Sequence, residues 1–393
     1  MSQSTIIKNV EIFQGEGRSF RGDIGITDGK IQAVASHIED QEAKVIDCLE
    51  QAWTAIPGFI DLHLHGAVGF DFMDAEQKAI ESISKALPKE GTTSYLGTTM
   101  TQSPSAISKA LISARQYMNT PNMYGQAEML GIHLEGPFIA SSKAGAQPSE
   151  WITAPDIRQF DQWQKESGHS IRVTTVAPET PHGQAFIEHV TGQGTVASIG
   201  HSDATFEDVR EAVQNGARHV THLYNQMSPL HHRKPGVVGA ALLLDNLSVE
   251  LIVDFIHTAP EAIELAYRQK GPEKTILITD SMRAKGLQDG KYDLGGQEVF
   301  VKEKEARLVD GTLAGSILTM QDAVLNMKKL TNLTIGELAA ITSQNAAKQI
   351  GVWDRKGSIE IGKDADIVLI NEQYEVMITL CRGEVCFQKE ESL

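Results

Sequence analysis

The sequence predicts a (β/α)8 barrel accompanied by a small β domain assembled from both chain ends. Three observations lead there. Short apolar β-type runs alternate with helix-type stretches through the middle of the chain, and eight such runs end near His65, Thr98, Glu135, Ala177, His201, His222, Phe255 and Asp280. Metal-type residues stand at the ends of runs one, three, five, six and eight. A barrel gathers its active site at that end of its strands. Residues 1–54 and 353–393 read as strands and turns, which leaves 55–352 as the barrel.

Taken in order, Ile6–Phe13 and Asp23–Ile26 read as strands around the turn-rich segment 14–18, and Asp28-Gly29 punctuates before Ile31–Val34. The apolar run 55–61 leads into His63 and His65. Helical stretches follow at Glu76–Leu87, Ser105–Met118, Thr205–Asn215 and Pro260–Lys270. Beyond Asp280, Tyr292–Leu308 reads as a β-hairpin insertion, and Thr334-Ile-Gly-Glu337 resembles a capping box opening a helix toward Ile350. The strand-type runs 357–362, 365–370, 376–380 and 385–388 close the chain. The two strand-rich ends are expected to pair with each other.

Composition narrows the function. A chain of 393 residues buries a large core. Its net charge of −16 argues against a nucleic-acid or anionic-membrane binder, and obliges any anionic substrate to find a local basic pocket. Three cysteines, Cys48, Cys381 and Cys386, form neither a metal spacing nor a disulfide framework, which favours a reducing compartment. The N-terminus lacks the apolar core of a secretion signal, and no run reaches the ~18 apolar residues of a membrane span. A cytoplasmic protein is expected.

The candidate site starts from His63 and His65, whose i, i+2 spacing on a strand puts two imidazoles on one face. Glu135 closes an apolar run before Gly-Pro. His133, two residues earlier, shares its face and reads as barrel interior or as support for the ligands. His201 and His222 end consecutive runs and look like two ligands of one ion, whereas His219 is out of phase. Asp280 fits either a helix N-cap or a catalytic carboxylate, and the apolar strand before it favours the second. Asp61 is a candidate to hydrogen-bond a ligand histidine. Imidazole and carboxylate ligands suit a divalent metal, one or two per chain, with zinc or iron favoured and cobalt, nickel or manganese as alternatives. The densest basic cluster, His231-His232-Arg233-Lys234, reads as an anion clamp. No phosphate-binding Gly-rich loop and no nucleophile elbow accompany it.

Pro57-Gly-Phe-Ile-Asp-Leu-His-Leu-His65 resembles the opening of the amidohydrolase superfamily. Further segments narrow the likeness: 133–138, 200–204, Thr221-His-Leu-Tyr-Asn-Gln-Met227, 235–239, 279–281, 310–316 and 361–368. Together they resemble the N-acetylglucosamine-6-phosphate deacetylase family. The resemblance implies a cytoplasmic homodimer that cleaves the acetamide of a phosphorylated amino sugar, and a barrel with a β-sandwich made from both termini. It implies Glu135, His201 and His222 as metal ligands and Asp280 as the acid–base. Asn225 and Gln226 would bind phosphate, and Arg233 and His257 would reach the substrate of the neighbouring subunit. The sequence departs from some members in two ways. It has His63 and His65 where they have no histidines, and Gln147 where they have a histidine that polarises the acetyl carbonyl. The ligands alone would equally fit a cyclic-imide hydrolase or an amino-acid deacylase of the same fold. The basic cluster and the Leu-Glu-Gly-Pro segment speak for the phosphorylated sugar.

Overall fold

The computed structural model describes residues 4–15, 18–120 and 125–390, so Glu16 and Gly17 of the first expected turn lie outside the described residues. Eight parallel strands form the barrel: β1 (Phe59–Leu64), β2 (Thr92–Thr98), β3 (Glu128–Glu135), β4 (Ile171–Val176), β5 (Val196–Ile199), β6 (His219–Val220), β7 (Ser248–Ile252) and β8 (Thr275–Ile278). Neighbours in sequence are neighbours in the sheet. β8 returns to β1 where Leu64 bridges Ser281 and the Asp280 N–H donates to the His63 carbonyl at 2.8 Å. All eight strands end within three residues of the expected positions. Strands buried on both faces read as apolar runs, which is why they were visible. β1 is buried at every position.

The helices follow their sequence signals. Pro260–Lys270 has the expected bounds. Phe206–Gln214 opens on a capping box between Thr205 and Asp208, and Thr334 and Glu337 form the second box. The helix it opens continues to Gln349 through a π-helical stretch at Ala340–Gln344.

Strands from both chain ends share one eight-stranded sheet. Its joint is Thr54–Pro57, parallel to Ser4–Gly15 and antiparallel to Ile367–Ile370. Ile12, Ile24, Ile367 and Leu380 are among the residues of its separate apolar core. Gly58 then passes the chain into β1 so close to Thr93 that any Cβ would collide with that side chain.

Two elements differ from expectation. The run 357–362 is bend and turn instead of strand, with Gly357 and Gly362 at φ 82° and 90° turning the chain at its two ends. Tyr292–Leu308 is not a hairpin but most of a three-stranded antiparallel sheet: Gly290–Leu294, Gln297–Lys302 and Glu305–Leu308. The second turn is made by Glu303 and Lys304 at φ 52° and 73°. Gly or Asn would normally mark such a turn, so the sequence carried no signal for it. The insert packs Leu294, Val299 and Ala306 against Met100, Met282 and Ala314.

Candidate active site

Strand alternation sends Asp61 and His63, with His65 just beyond, to the inside of β1. Asp61 accepts from the Thr279 hydroxyl at 2.6 Å and from the His63 N–H at 3.1 Å. It therefore fixes the backbone of His63 and the β1–β8 seam, not a ligand ring as expected. Burial pushes its carboxyl up to about 6, against the pull of Lys285. The His63 ring is oriented by Glu250, which accepts from Nδ1 at 3.1 Å. Its Nε2 is buried without a hydrogen bond, 3.4 Å from Glu135 and 3.5 Å from Asp280. His65 Nε2 lies 3.3 Å from both carboxylates.

Glu135 is the last residue of β3. Gly136 follows at φ +70°, where a Cβ would collide with the Thr101 hydroxyl, so glycine is required for the chain to turn away from the carboxylate. His201, His222 and Asp280 lie just past their strands, at φ 46°, 30° and 48°. Three non-glycine residues in the left-handed region at three strand ends are strained backbone concentrated where the site lies. The kinks bring the side chains together. His222 Nε2 is 3.1 Å from Glu135 Oε1 and 3.1 Å from His201 Nε2, and His201 Nε2 is 3.3 Å from the same oxygen.

Donor chemistry tests whether a metal fits. His201 Nδ1 sits 2.8 Å from the Lys143 carbonyl, which can only accept, so Nδ1 carries the proton and Nε2 presents a lone pair. Two imidazole nitrogens and a carboxylate oxygen thus converge, all within 4.8 Å. Such a set repels itself unless a proton or a cation lies among its members, and it suits a divalent transition metal. His63, His65 and Asp280 form a second group of this kind. The protein itself draws positive charge here. Burial would push the Glu135 carboxyl up, but His63, His201 and His222 hold it well below its ordinary range. Burial would lower His65, but Asp280 and Glu135 raise it to about 9.

Beneath the cluster is a residue the sequence reading missed. Glu250 on β7 is fully buried. It accepts from His63 Nδ1, from His219 Nε2 at 2.9 Å and from the His222 N–H at 3.1 Å. A lone carboxylate within the apolar run Val-Glu-Leu-Ile was the available signal, because a buried charge needs partners. His133 takes the supporting place expected of it. Its Nδ1 faces the Leu62 carbonyl and its Nε2 the Thr175 hydroxyl at 2.7 Å. Burial, then the charge of His63, depresses it to about 3.

A cavity of about 370 Å³ opens over the cluster. His65, Glu135, His201, His222 and Asp280 reach it, with Gln147, Asn225, Gln226 and His257 also lining it. Gln147 is clamped: its Oε1 accepts from the Thr101 N–H at 2.7 Å, which turns Nε2 onto Glu135 at 2.9 Å. His257, expected at the neighbouring subunit's site, lines the cavity of its own chain, because Asp254 holds both its backbone N–H and its Nδ1. Arg233 is not brought to the cavity. It is exposed on the 231–234 turn and bonded to His232 at 2.7 Å. Leu294, Leu313 and Arg307, the last also missed, come from the insert and the segment after it.

Fold and cluster define the class: a barrel hydrolase whose strand ends are built to hold a divalent metal. The chain belongs to the amidohydrolase family, whose model matches residues 54–386. It is 47% identical over 395 residues to the N-acetylglucosamine-6-phosphate deacetylase of Bacillus subtilis (strain 168), covering 100% of this chain and 99% of the relative. It is 37% identical to the N-acetylgalactosamine-6-phosphate deacetylase of Escherichia coli O157:H7, over 84% of this chain and 86% of the relative. Among solved structures, the N-acetylglucosamine-6-phosphate deacetylase of Thermotoga maritima matches with a TM-score of 0.87 at 36% identity, over 98% of this chain and 100% of that one.

Proposed function

We propose that this chain hydrolyses the acetamide of N-acetyl-D-glucosamine 6-phosphate to D-glucosamine 6-phosphate and acetate, a step of amino-sugar catabolism in the cytoplasm. The observation that carries the reading is the cavity floor. There the Glu135–His201–His222 donor set lies beside an ionisable carboxylate, Asp280, in a full-length relative of named deacetylases. The relative at 47% identity names the glucosamine sugar and the one at 37% names its galactosamine epimer, which favours the first.

A divalent cation on Glu135, His201 and His222, with room for a second on His63, His65 and Asp280, would supply Lewis acidity toward water and the amide carbonyl. The residues do the rest. Burial pushes the Asp280 carboxyl up, but His63 and His65 hold it below its ordinary range, so it is ionised at neutral pH. Asp280 takes the proton of the attacking water and passes it to the nitrogen as the C–N bond breaks, releasing amine and acetate. Gln147 uses one N–H on Glu135 and has a second for the acetyl oxygen. Asn225, Gln226 and His257 bind the sugar phosphate from the cavity wall. Arg233 reaches the site of a partner in a homodimer. Its support is the exposed basic turn that follows Leu230, itself 53% exposed.

Acetate release tests the reading, measured with phosphorylated and unphosphorylated N-acetylglucosamine on protein of known metal content. Release from the phosphorylated sugar should exceed the other by at least the roughly tenfold worth of a charged contact. Equal release from both, or none from the phosphorylated sugar with metal bound, sinks it.

A further inference from the structure

The cavity poses a charge problem. Its floor carries the carboxylates Glu135 and Asp280, the chain as a whole is strongly acidic, and the basic cluster at 231–234 lies outside it. Among the described residues, one arginine lines the cavity and no lysine does, and that arginine is Arg307. We infer that Arg307 is a specificity-determining residue that binds the substrate's phosphate from within the same chain. The inference rests on the phosphorylated-sugar reading above and deepens it.

Arg307 is held, not floating. Its strand, Glu305–Leu308, pairs Arg307 with Phe300 and bridges it to Leu313 across the turn. Backbone bonds from Leu308 to Thr312 (2.8 Å) and from Ala314 to Ala306 (3.0 Å) frame that turn. The side chain is fixed at two points. Nε pairs with Glu305 Oε2 at 2.6 Å, and Nη1 donates to the Gly311 carbonyl at 2.7 Å. Nη2 has no bond among the described residues and remains for an incoming anion. A guanidinium already immobilised loses little freedom on binding, and its planar donors match phosphate oxygens. The insert carrying it is tied to the cavity wall, since Gln297 Nε2 donates to the Ala146 carbonyl at 2.6 Å, next to Gln147. Asn225, Gln226 and His257 offer no permanent charge, and Arg307 adds one from the same chain beside the one Arg233 brings across the proposed dimer.

The test measures binding and turnover on full-length, metal-loaded protein. Calorimetry with glucose 6-phosphate, which has no acetamide, reads phosphate recognition without chemistry. Arg307→Ala should weaken that binding roughly ten- to a hundredfold, and Arg307→Lys should regain part of it. In turnover, Arg307→Ala should raise KM for the phosphorylated sugar with kcat little moved, so that the preference for it over the unphosphorylated sugar collapses. Glu305→Gln removes a competing carboxylate and should tighten glucose 6-phosphate binding. Unchanged glucose 6-phosphate affinity in Arg307→Ala overturns the inference, as does an equal loss on both sugars. If wild type binds glucose 6-phosphate through Arg307 but releases no acetate, the deacetylase reading fails and phosphate recognition stands.

Discussion

The two ends of β3 carry carboxylates in opposite company, Glu128 half-buried and Glu135 buried. Glu128, the first residue, and Glu135, the last, are about 23 Å apart by strand rise. At the lower end, Glu128, Asp364 and Asp366 face Arg355, Lys356 and Arg382. Arg355 meets Glu128 at 2.7 Å and Asp364 at 2.6 Å, and Lys356 meets Glu128 at 2.6 Å and also pairs with Asp366. Three anions meet four permanent cations, since Lys30 also reaches Asp364 at 2.6 Å, and the network ties the barrel to the C-terminal strands. At the upper end, the ionisable partners of Glu135, Asp280 and Glu250 are imidazoles, with His63 Nε2 left without a bond. The first cluster is complete within the chain. The second completes itself with protons or a cation, and that incompleteness marks function.

The largest expected effect breaks the upper cluster. Exhaustive chelation should abolish turnover, and added divalent metal should restore it. His222→Ala should lose metal and activity together. His63→Ala should keep metal in the group formed by Glu135, His201 and His222. Elemental analysis beside activity checks both, and full activity in metal-free protein would falsify the contrast. Next, Asp280→Asn keeps shape but removes the base. kcat should fall by roughly 10²–10⁴ with metal largely retained. A near-normal kcat would remove Asp280 from the chemistry.

The lower cluster should fail differently. Lys356→Met removes the most buried cation from among Glu128, Asp364 and Asp366 and should cost about 3–5 kcal/mol of stability, read by denaturant unfolding. kcat/KM of the folded fraction should be unchanged. The pH dependence follows the same logic. Burial raises Glu128, but Arg355 and Lys356 win and depress it far below its ordinary range. Its contribution is therefore present above the ordinary carboxylate range and lost only as strong acid protonates the folded state. A stability loss already complete near pH 5 would contradict the pairing.

Much of the upper end was legible because its chemistry sits at punctuation. His65, Glu135, His201, His222 and Asp280 each stand where an apolar run stops, and runs buried on both faces are conspicuous. The lower network was invisible, because Glu128 lies far in sequence from Arg355 and Lys356, and all three look like ordinary surface charges until the fold joins them. Glu250 was hidden in mid-strand. Arg307 was hidden behind a turn whose Glu303 and Lys304 carry no turn signature. That His257 lines its own chain's cavity was not legible, because residue identity does not say which way a loop folds.

Arg233 sharpens the comparison from outside both clusters. Arg233→Ala should lower kcat/KM for the phosphorylated sugar by roughly tenfold, the lower end for a charged contact, because the residue is exposed. Mixing that variant with Asp280→Asn should regain part of the activity if Arg233 serves a partner's site, since one site per heterodimer then holds both groups. No recovery, with mixed dimers demonstrated, would make its role local.

The smallest effect separates two roles for Gln147. Clamped by the Thr101 N–H, its amide donates to Glu135 Oε2 at 2.9 Å and so steadies a ligand of the upper cluster. With a cation bound, that carboxylate is largely neutralised, and the hydrogen bond is worth about 1 kcal/mol. Gln147→Ala should then lower kcat/KM roughly fivefold and weaken metal retention in parallel. Were the amide chiefly an oxyanion donor, its loss would cost roughly 10²–10³ in kcat and leave the metal untouched. The structure favours the smaller number, because one N–H of Nε2 is committed to Glu135 and only the second is left for the acetyl oxygen. Measuring kcat and metal content on one preparation decides between ligand support and transition-state contact.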